Sequence, residues 1–120
     1  MKTTLIYGAS ATPSRYANIA QHRLIEQGHK VILVNPRGGV IDGIQCLTDP
    51  GKVSIPVDTV TVYVRPEILD ANIEAIASLK PRRIILNPGT ESRIATDYFS
   101  TKGIEVINAC TLVLLTLGTY

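Results

Sequence analysis

Near its N-terminus the chain reads Leu5-Ile6-Tyr7-Gly8-Ala9-Ser10-Ala11-Thr12-Pro13-Ser14-Arg15, an apolar run giving way to glycine, small residues, hydroxyls and a guanidinium. Small residues let a bound group approach the backbone, hydroxyls donate hydrogen bonds to phosphate oxygens, and a helix starting just beyond adds the partial positive charge of its first N–H groups. Such a loop suits a nucleotide phosphate. Ser10 and Pro13 stand where the G-x-G-x-x-G dinucleotide fingerprint has its second and third glycines. A pyrophosphate would therefore be held less closely, since Pro13 has no N–H to offer.

A second group of residues with the same chemistry is Val34-Asn35-Pro36-Arg37-Gly38-Gly39. A NAD-binding unit places Asp or Glu there to hold the ribose 2′-hydroxyl. Asn35 followed by Arg37 suits a ribose that carries a phosphate, as in NADP or the 3′-phospho-ADP half of coenzyme A, and the missing glycines weigh against NADP. Arg15, Arg37, Arg65 and Arg93 all fall in or just after loops where predicted strands finish. Lys2, Lys30, Lys52, Lys80 and Lys102, with Arg82 and Arg83, fall just before predicted strands. This sorting predicts a phosphate-binding edge and a solvated rim opposite it. Glu67 and Glu91 read as carboxylates that open helices.

Catalytic chemistry finds little to work with. Ser10 and Thr12 read as hydrogen-bond donors because no base is placed to activate them, and His22 and His29 meet no Ser, Cys or Asp in a readable constellation. Cys46 and Cys110 form no C-x-x-C pair and have no histidine at ligand spacing, so no metal site is nominated. Both read as small packed hydrophobes in a reducing compartment. Cys110, just after the last strand, is also the thiol placed to face a crevice.

These residues need a scaffold. The 120 residues, 45% of them hydrophobic, suffice for one domain spanning 1–120. A net charge of +2 with scattered basic residues leaves no nucleic-acid footprint. The apolar run Leu112 to Leu117 is too short to cross a membrane, and Met1 to Thr4 run straight into the first strand without a signal peptide's regions, so the cytoplasm is expected. Apolar runs predict buried strands at Thr3–Tyr7, Val31–Val34, Asp58–Val64, Arg83–Leu86 and Ile104–Ile107, with a short edge strand at Ile44–Leu47 and irregular chain from Asp49 to Pro56. Helical spacing predicts helices over about Tyr16–Gln27, with a stripe of Ala17, Ala20, Gln21, Leu24 and Ile25, and over about Pro66–Leu79. A third helix carries Ile94, Ala95, Tyr98 and Phe99 before Gly103, and a closing helix or tail spans Cys110–Leu117.

Alternating strands and helices imply an α/β fold, an open doubly wound sheet of five or six mostly parallel strands in the order 3-2-1-4-5, extended by a sixth. Ligands bind such sheets beyond the carboxyl ends of the strands, where the order reverses. The loops after Tyr7, Val34, Val64 and Leu86 would line that crevice.

The chain resembles the small coenzyme A-binding proteins related to the CoA-binding domain of the succinyl-CoA synthetase alpha subunit. The likeness runs over nearly its whole length. It rests on Gly8-Ala9-Ser10-x-x-Pro13 with Arg15-Tyr16-Ala17-Asn18, on Val34-Asn35-Pro36, on Gly43-Ile44-x-Cys46, on Pro56-Val57-Asp58, on Asn87-Pro88-Gly89-x-Glu91 and on Cys110. The resemblance implies a Rossmann-like fold that binds CoA or an acyl-CoA. By position it gives the loop Gly8, Ala9, Ser10, Ala11, Thr12 the pyrophosphate or the start of the pantetheine, and puts Arg37, beside Asn35 and Pro36, where the synthetase has a lysine. Val64, Arg65 and Pro66 match its Val-Pro segment along the nucleotide, with the proline one place later and Arg65 in its stead. The synthetase's phosphorylated histidine lies in a domain outside this resemblance, so ligase activity is not implied. The leading expectation is a non-catalytic binding module for the phosphorylated ADP portion of CoA or an acyl-CoA. The alternatives are an NAD(P)-binding redox sensor or reductase-like subunit, and a scaffold or regulatory subunit of an acyl-CoA enzyme whose apolar tail docks a partner enzyme or a second copy.

Overall fold

Strand and helix alternate as the apolar patterning predicts, and a computed structural model describes residues 1–120. The strands are β1 (Thr3–Tyr7), β2 (Lys30–Val34), β3 (Val40–Ile41), β4 (Ile44–Leu47), β5 (Thr59–Val62), β6 (Arg83–Leu86) and β7 (Glu105–Asn108). The helices are α1 (Tyr16–Glu26), α2 (Pro66–Asp70), α3 (Ile73–Ser78), α4 (Arg93–Thr101) and α5 (Thr111–Leu117). One seven-stranded sheet runs β3-β4-β2-β1-β5-β6-β7, parallel throughout except for the β3–β4 hairpin. The chain winds outward from β1 through β2, returns to the far side of β1 with β5 and continues outward, so strand order reverses at β1. This is the Rossmann-like, doubly wound arrangement.

Alternate residues of a strand face opposite layers. Leu5 and Tyr7 of β1, Val60 and Val62 of β5, and Ile84 and Leu86 of β6 meet Leu69 of α2, Ile76 of α3, and Ala95 and Phe99 of α4. Each such fully buried large aliphatic or aromatic side chain contributes roughly 1.5–3 kcal/mol. The other layer packs Ile6, Val31 and Leu33 against Ala17 and Leu24 of α1 and Leu115 of α5. It is partly polar, because Thr4, Thr59, Thr61 and Arg83 are buried there as well.

Several boundaries differ from expectation for local reasons. The six expected strands stand in the expected order, and the seventh, β3, is added by a turn at Asp42-Gly43, both in the left-handed region at φ 49° and 83°. The expected helix over Pro66–Leu79 is two helices, parted at Ala71–Asn72, where the Asn72 amide donates to the Ile68 carbonyl at 2.8 Å and competes with helix continuation. β5 ends at Val62, not Val64, as Tyr63 and Val64 cross beneath Gly8. On α1, Gln21 is buried at 1% exposure while Ile25 is 45% exposed, so the stripe lies closer to Asn18 than expected. The segment read as irregular contains a 3-10 turn, Pro50–Lys52, capped by Asp49. The closing segment is a helix whose Thr111 and Leu115 fill its own core, leaving Val113 and Leu117 exposed. No helix is long and apolar enough to cross a membrane.

Candidate functional site

At the finishing end of β1, where strand order reverses, lies a cleft of about 590 Å³. Three segments build it. The loop Gly8 to Thr12 forms the floor, and Arg15, Tyr16 and Ala17 follow at the first turn of α1. Arg15 is the N-cap of that helix and no side chain closes it, which leaves its first N–H groups available to an anion. Asn35 to Ile41 make one wall, and Tyr63, Pro88 and Thr90 make the far end.

The floor is positioned by close backbone contact. The N–H groups of Gly8 and Ala9 both donate to the Val34 carbonyl, at 2.9 and 3.1 Å. Gly8 has φ +98°, and a Cβ there would lie 2.8 Å from Val64 Cγ1 and 3.1 Å from the Tyr63 carbonyl carbon. Only glycine satisfies both the angle and the space. The Ser10 hydroxyl accepts from the Thr12 N–H at 3.1 Å, tightening the loop.

Asn35 acts as a brace. Its amide donates to the Ala9 carbonyl at 2.8 Å, while its side-chain oxygen accepts from the N–H groups of Arg37 and Gly38 at 2.8 and 2.9 Å. The Arg37 loop and the floor loop are thereby tied together. At the far end the buried Asn87 does similar work. Its amide donates to the Thr61 hydroxyl at 2.7 Å and the Val62 carbonyl at 2.9 Å, and its side-chain oxygen accepts from the Thr111 N–H at 2.9 Å. Thr90 then hydrogen-bonds the Asn87 carbonyl and fixes the turn through Pro88.

Electrostatically the cleft has one sign. Arg15 and Arg37 are its only charged residues, no Asp or Glu lines it, and neither arginine takes part in an ion pair. No His, Cys or Lys lines it either. The Tyr63 hydroxyl is buried without a hydrogen-bond partner, and burial pushes its pKa up to about 12.

Of the residues singled out in the sequence, Gly8, Ala9, Ser10, Ala11, Thr12, Arg15, Asn35, Pro36 and Arg37 are brought together in this cleft. Val64, Arg65 and Pro66 are outside its lining. Val64 packs behind Gly8, and Arg65 and Pro66 begin α2. The lining also includes Tyr16, Ala17, Gly38, Gly39, Pro88 and Thr90, which fall in motifs or loops named above without an individual site role, and Val40, Ile41 and Tyr63, which the sequence reading did not point to. Asp42-Gly43 between two apolar pairs is the hairpin signal that would have found Val40 and Ile41.

Three charged residues play other parts than expected. Glu91 does not open α4; Ser92 caps that helix, and Glu91 accepts from the Gly89 N–H at 2.8 Å. His22 does meet an acid, Asp42, at 3.0 Å, though both lie outside the cleft lining. Arg83 is buried beneath Tyr120 rather than solvated on a rim. Cys46 is buried and Cys110 half-buried, and no cluster of three or more His, Cys, Asp or Glu could hold a metal.

A family model described as a CoA binding domain matches residues 2–116. A crystal structure of an uncharacterized protein superposes with a TM-score of 0.94 at 41% identity, over 100% of this chain and 98% of that one. The structure of cell-free ID.343 from Thermus thermophilus superposes at 0.90 with 28% identity, over 99% of this chain and 90% of that one. A hypothetical protein from Pyrococcus horikoshii OT3 does so at 0.86 with 26% identity, over 93% and 79%. No curated protein matches.

Proposed function

The chain belongs to the CoA-binding domain family, and from that premise we propose that its cleft holds coenzyme A or an acyl-CoA by the 3′-phosphorylated ADP portion, without a reaction of its own. The observation that carries this reading is the charge of the cleft, two unpaired guanidinium groups and no carboxylate. A guanidinium fork binds phosphate oxygens through paired N–H donors. The floor loop and the open start of α1 suit the pyrophosphate, and Arg37 suits the additional phosphate of the ribose.

The NAD reading has less support. The position that would carry a ribose-binding acid is Asn35, whose side chain is already bonded to Ala9, Arg37 and Gly38. Binding without catalysis is supported by the lining, which offers Ser10 and Thr12 no histidine, carboxylate or amine as a base. The scaffold reading rests on α5, which covers its own core.

Thermal unfolding with CoA, 3′-dephospho-CoA and NAD tests the proposal. CoA at a hundredfold excess over its Kd adds about 2.7 kcal/mol to the folded state, and the other two should add clearly less. Arg37→Ala should erase the difference between CoA and 3′-dephospho-CoA. Equal stabilisation by NAD would replace this reading with the dinucleotide one.

A further inference from the structure

One face of α1 presents three polar side chains at helical spacing to the tip of the β3–β4 hairpin. Asn18, 3% exposed, donates from its amide to two acceptors, the Ser10 carbonyl at 2.8 Å and Asp42 Oδ2 at 3.2 Å. His22 Nε2 lies 3.0 Å from the same Asp42 oxygen, and the Gln21 amide donates to the Ile41 carbonyl at 3.3 Å. None of these α1 residues lines the cleft, but the segments they join do, Ser10 on the floor and Val40 and Ile41 on the wall.

β3 and the turn of the hairpin have few other attachments, whereas β4 is held by its pairing with β2 and by the buried Cys46. The near end of the hairpin leaves β2 through Gly38 and Gly39, both left-handed at φ 65° and 82°, and β4 pairs with β2 over two residues only. Ile41 is its one buried apolar contact among Val40, Ile41, Asp42 and Gly43. β3 and its turn, so lightly packed, take their position from the polar seam at the tip.

We propose that Asn18 is a positioning residue for the ligand: by bridging Ser10 and Asp42 it sets the gap between the floor loop and the hairpin wall, so affinity depends on a seam the ligand does not touch. The inference rests on the reading of the cleft as a CoA site. His22 supports the seam by holding Asp42, and the left-handed turn at Asp42 keeps the carboxylate facing α1.

Calorimetric titration of CoA into the wild type, Asn18→Asp, Asp42→Asn and the double variant provides the test. Asn18→Asp sets two acidic oxygens where a donor met an acceptor, and should weaken CoA binding by about tenfold or more. Asp42→Asn alone keeps an acceptor and a residue tolerant of the turn, and should stay within about threefold of wild type. Combining the two restores a donor and an acceptor on the Asp42 side of the seam but still leaves the Ser10 carbonyl facing a carboxylate, so it should recover only part of the lost affinity. Should Asn18→Asp not fold, Asn18→Ser, too short to reach Asp42, carries the same expected loss. Wild-type affinity in Asn18→Asp and Asn18→Ser, or full recovery in the double variant despite the unmatched Ser10 carbonyl, overturns the bridging role of Asn18 alone. A wild-type chain that does not bind CoA overturns the reading of the cleft, and this inference with it.

Discussion

Where the strands finish, Arg15 and Arg37 are exposed and have no carboxylate partner. Where the strands begin, both arginines and Lys2 are engaged. Arg82 Nε lies 3.1 Å from Asp58 Oδ2. Arg83, buried, donates from Nε to the Thr59 hydroxyl at 2.9 Å and stacks 4.4 Å over the Tyr120 ring. Lys2 Nζ donates to the Tyr120 carbonyl at 2.5 Å. Burial works against the Asp58 carboxylate, yet hydrogen bonds from Thr59 and Arg82 and the charge of Arg82 hold its pKa below the ordinary value. Burial, with the positive charges of Lys2 and Arg83, likewise lowers that of His29. The two edges teach that cationic composition alone does not make a site. Within the finishing edge, Arg93 is paired with Asp97 outside the cleft, whereas Arg15 and Arg37 in the cleft have no internal partner, and an anion from outside is what completes them.

The widest separation between the edges should appear in glycine replacements. Gly8→Ala must accommodate both φ +98° and a Cβ 2.8 Å from Val64, and should cost about 3 kcal/mol of stability. Gly28, between α1 and β2 on the opposite edge, has φ +84° and open space around it, so Gly28→Ala should cost only about 1 kcal/mol. Urea unfolding of both variants measures the gap. Equal costs would mean that the floor loop is not held by close packing.

A smaller effect separates the arginines. Arg15→Met should weaken CoA binding about fivefold while leaving stability nearly unchanged, as expected for an exposed charge that meets its partner only in the complex. Arg83→Met removes a buried charge that has no carboxylate partner and keeps much of its volume, so stability should change by less than about 1 kcal/mol. Its CoA affinity should equal that of wild type. Loss of CoA binding in Arg83→Met would erase the distinction between the edges.

The sheet was legible in the sequence because its strands are uninterrupted apolar runs such as Val31–Val34 and Ile84–Leu86, and the period that reveals them is the one that buries them. Arg15, Asn35 and Arg37 were legible for a related reason, since they sit next to the glycines and prolines that end strands. β3 is two residues long, below the length at which alternation can be read, and only its Asp42-Gly43 turn announces it. Tyr63 was taken into a strand that stops one residue earlier. No periodicity reports that Arg83 is buried, because it depends on Tyr120 returning across 37 residues of chain to cover it. Asn18 escaped as well, since a polar residue on α1 reads as a solvated position until the hairpin is placed against it.

The smallest effect concerns two tyrosines, one toward each edge. Tyr63, at the cleft, has a buried hydroxyl with no partner, whereas the buried hydroxyl of Tyr120 is hydrogen-bonded to Thr4. Tyr63→Phe should therefore leave stability at neutral pH unchanged or raise it by up to about 1 kcal/mol, and Tyr120→Phe should lower it by about as much. Alkaline unfolding separates them further. Tyr63 titrates near 10.0 when unfolded and at about 12 when folded, chiefly because burial disfavours the phenolate. Its contribution is fully present below pH 10. Above that the unfolded chain gives up the proton first, and stability is lost as pH rises toward 12. Burial also raises the pKa of Tyr7 and Tyr120, so Tyr63→Phe should make the alkaline slope shallower without abolishing it. An unchanged slope in Tyr63→Phe would show that the hydroxyl meets solvent through the cleft, and that the finishing edge is wetter at its floor than this geometry implies.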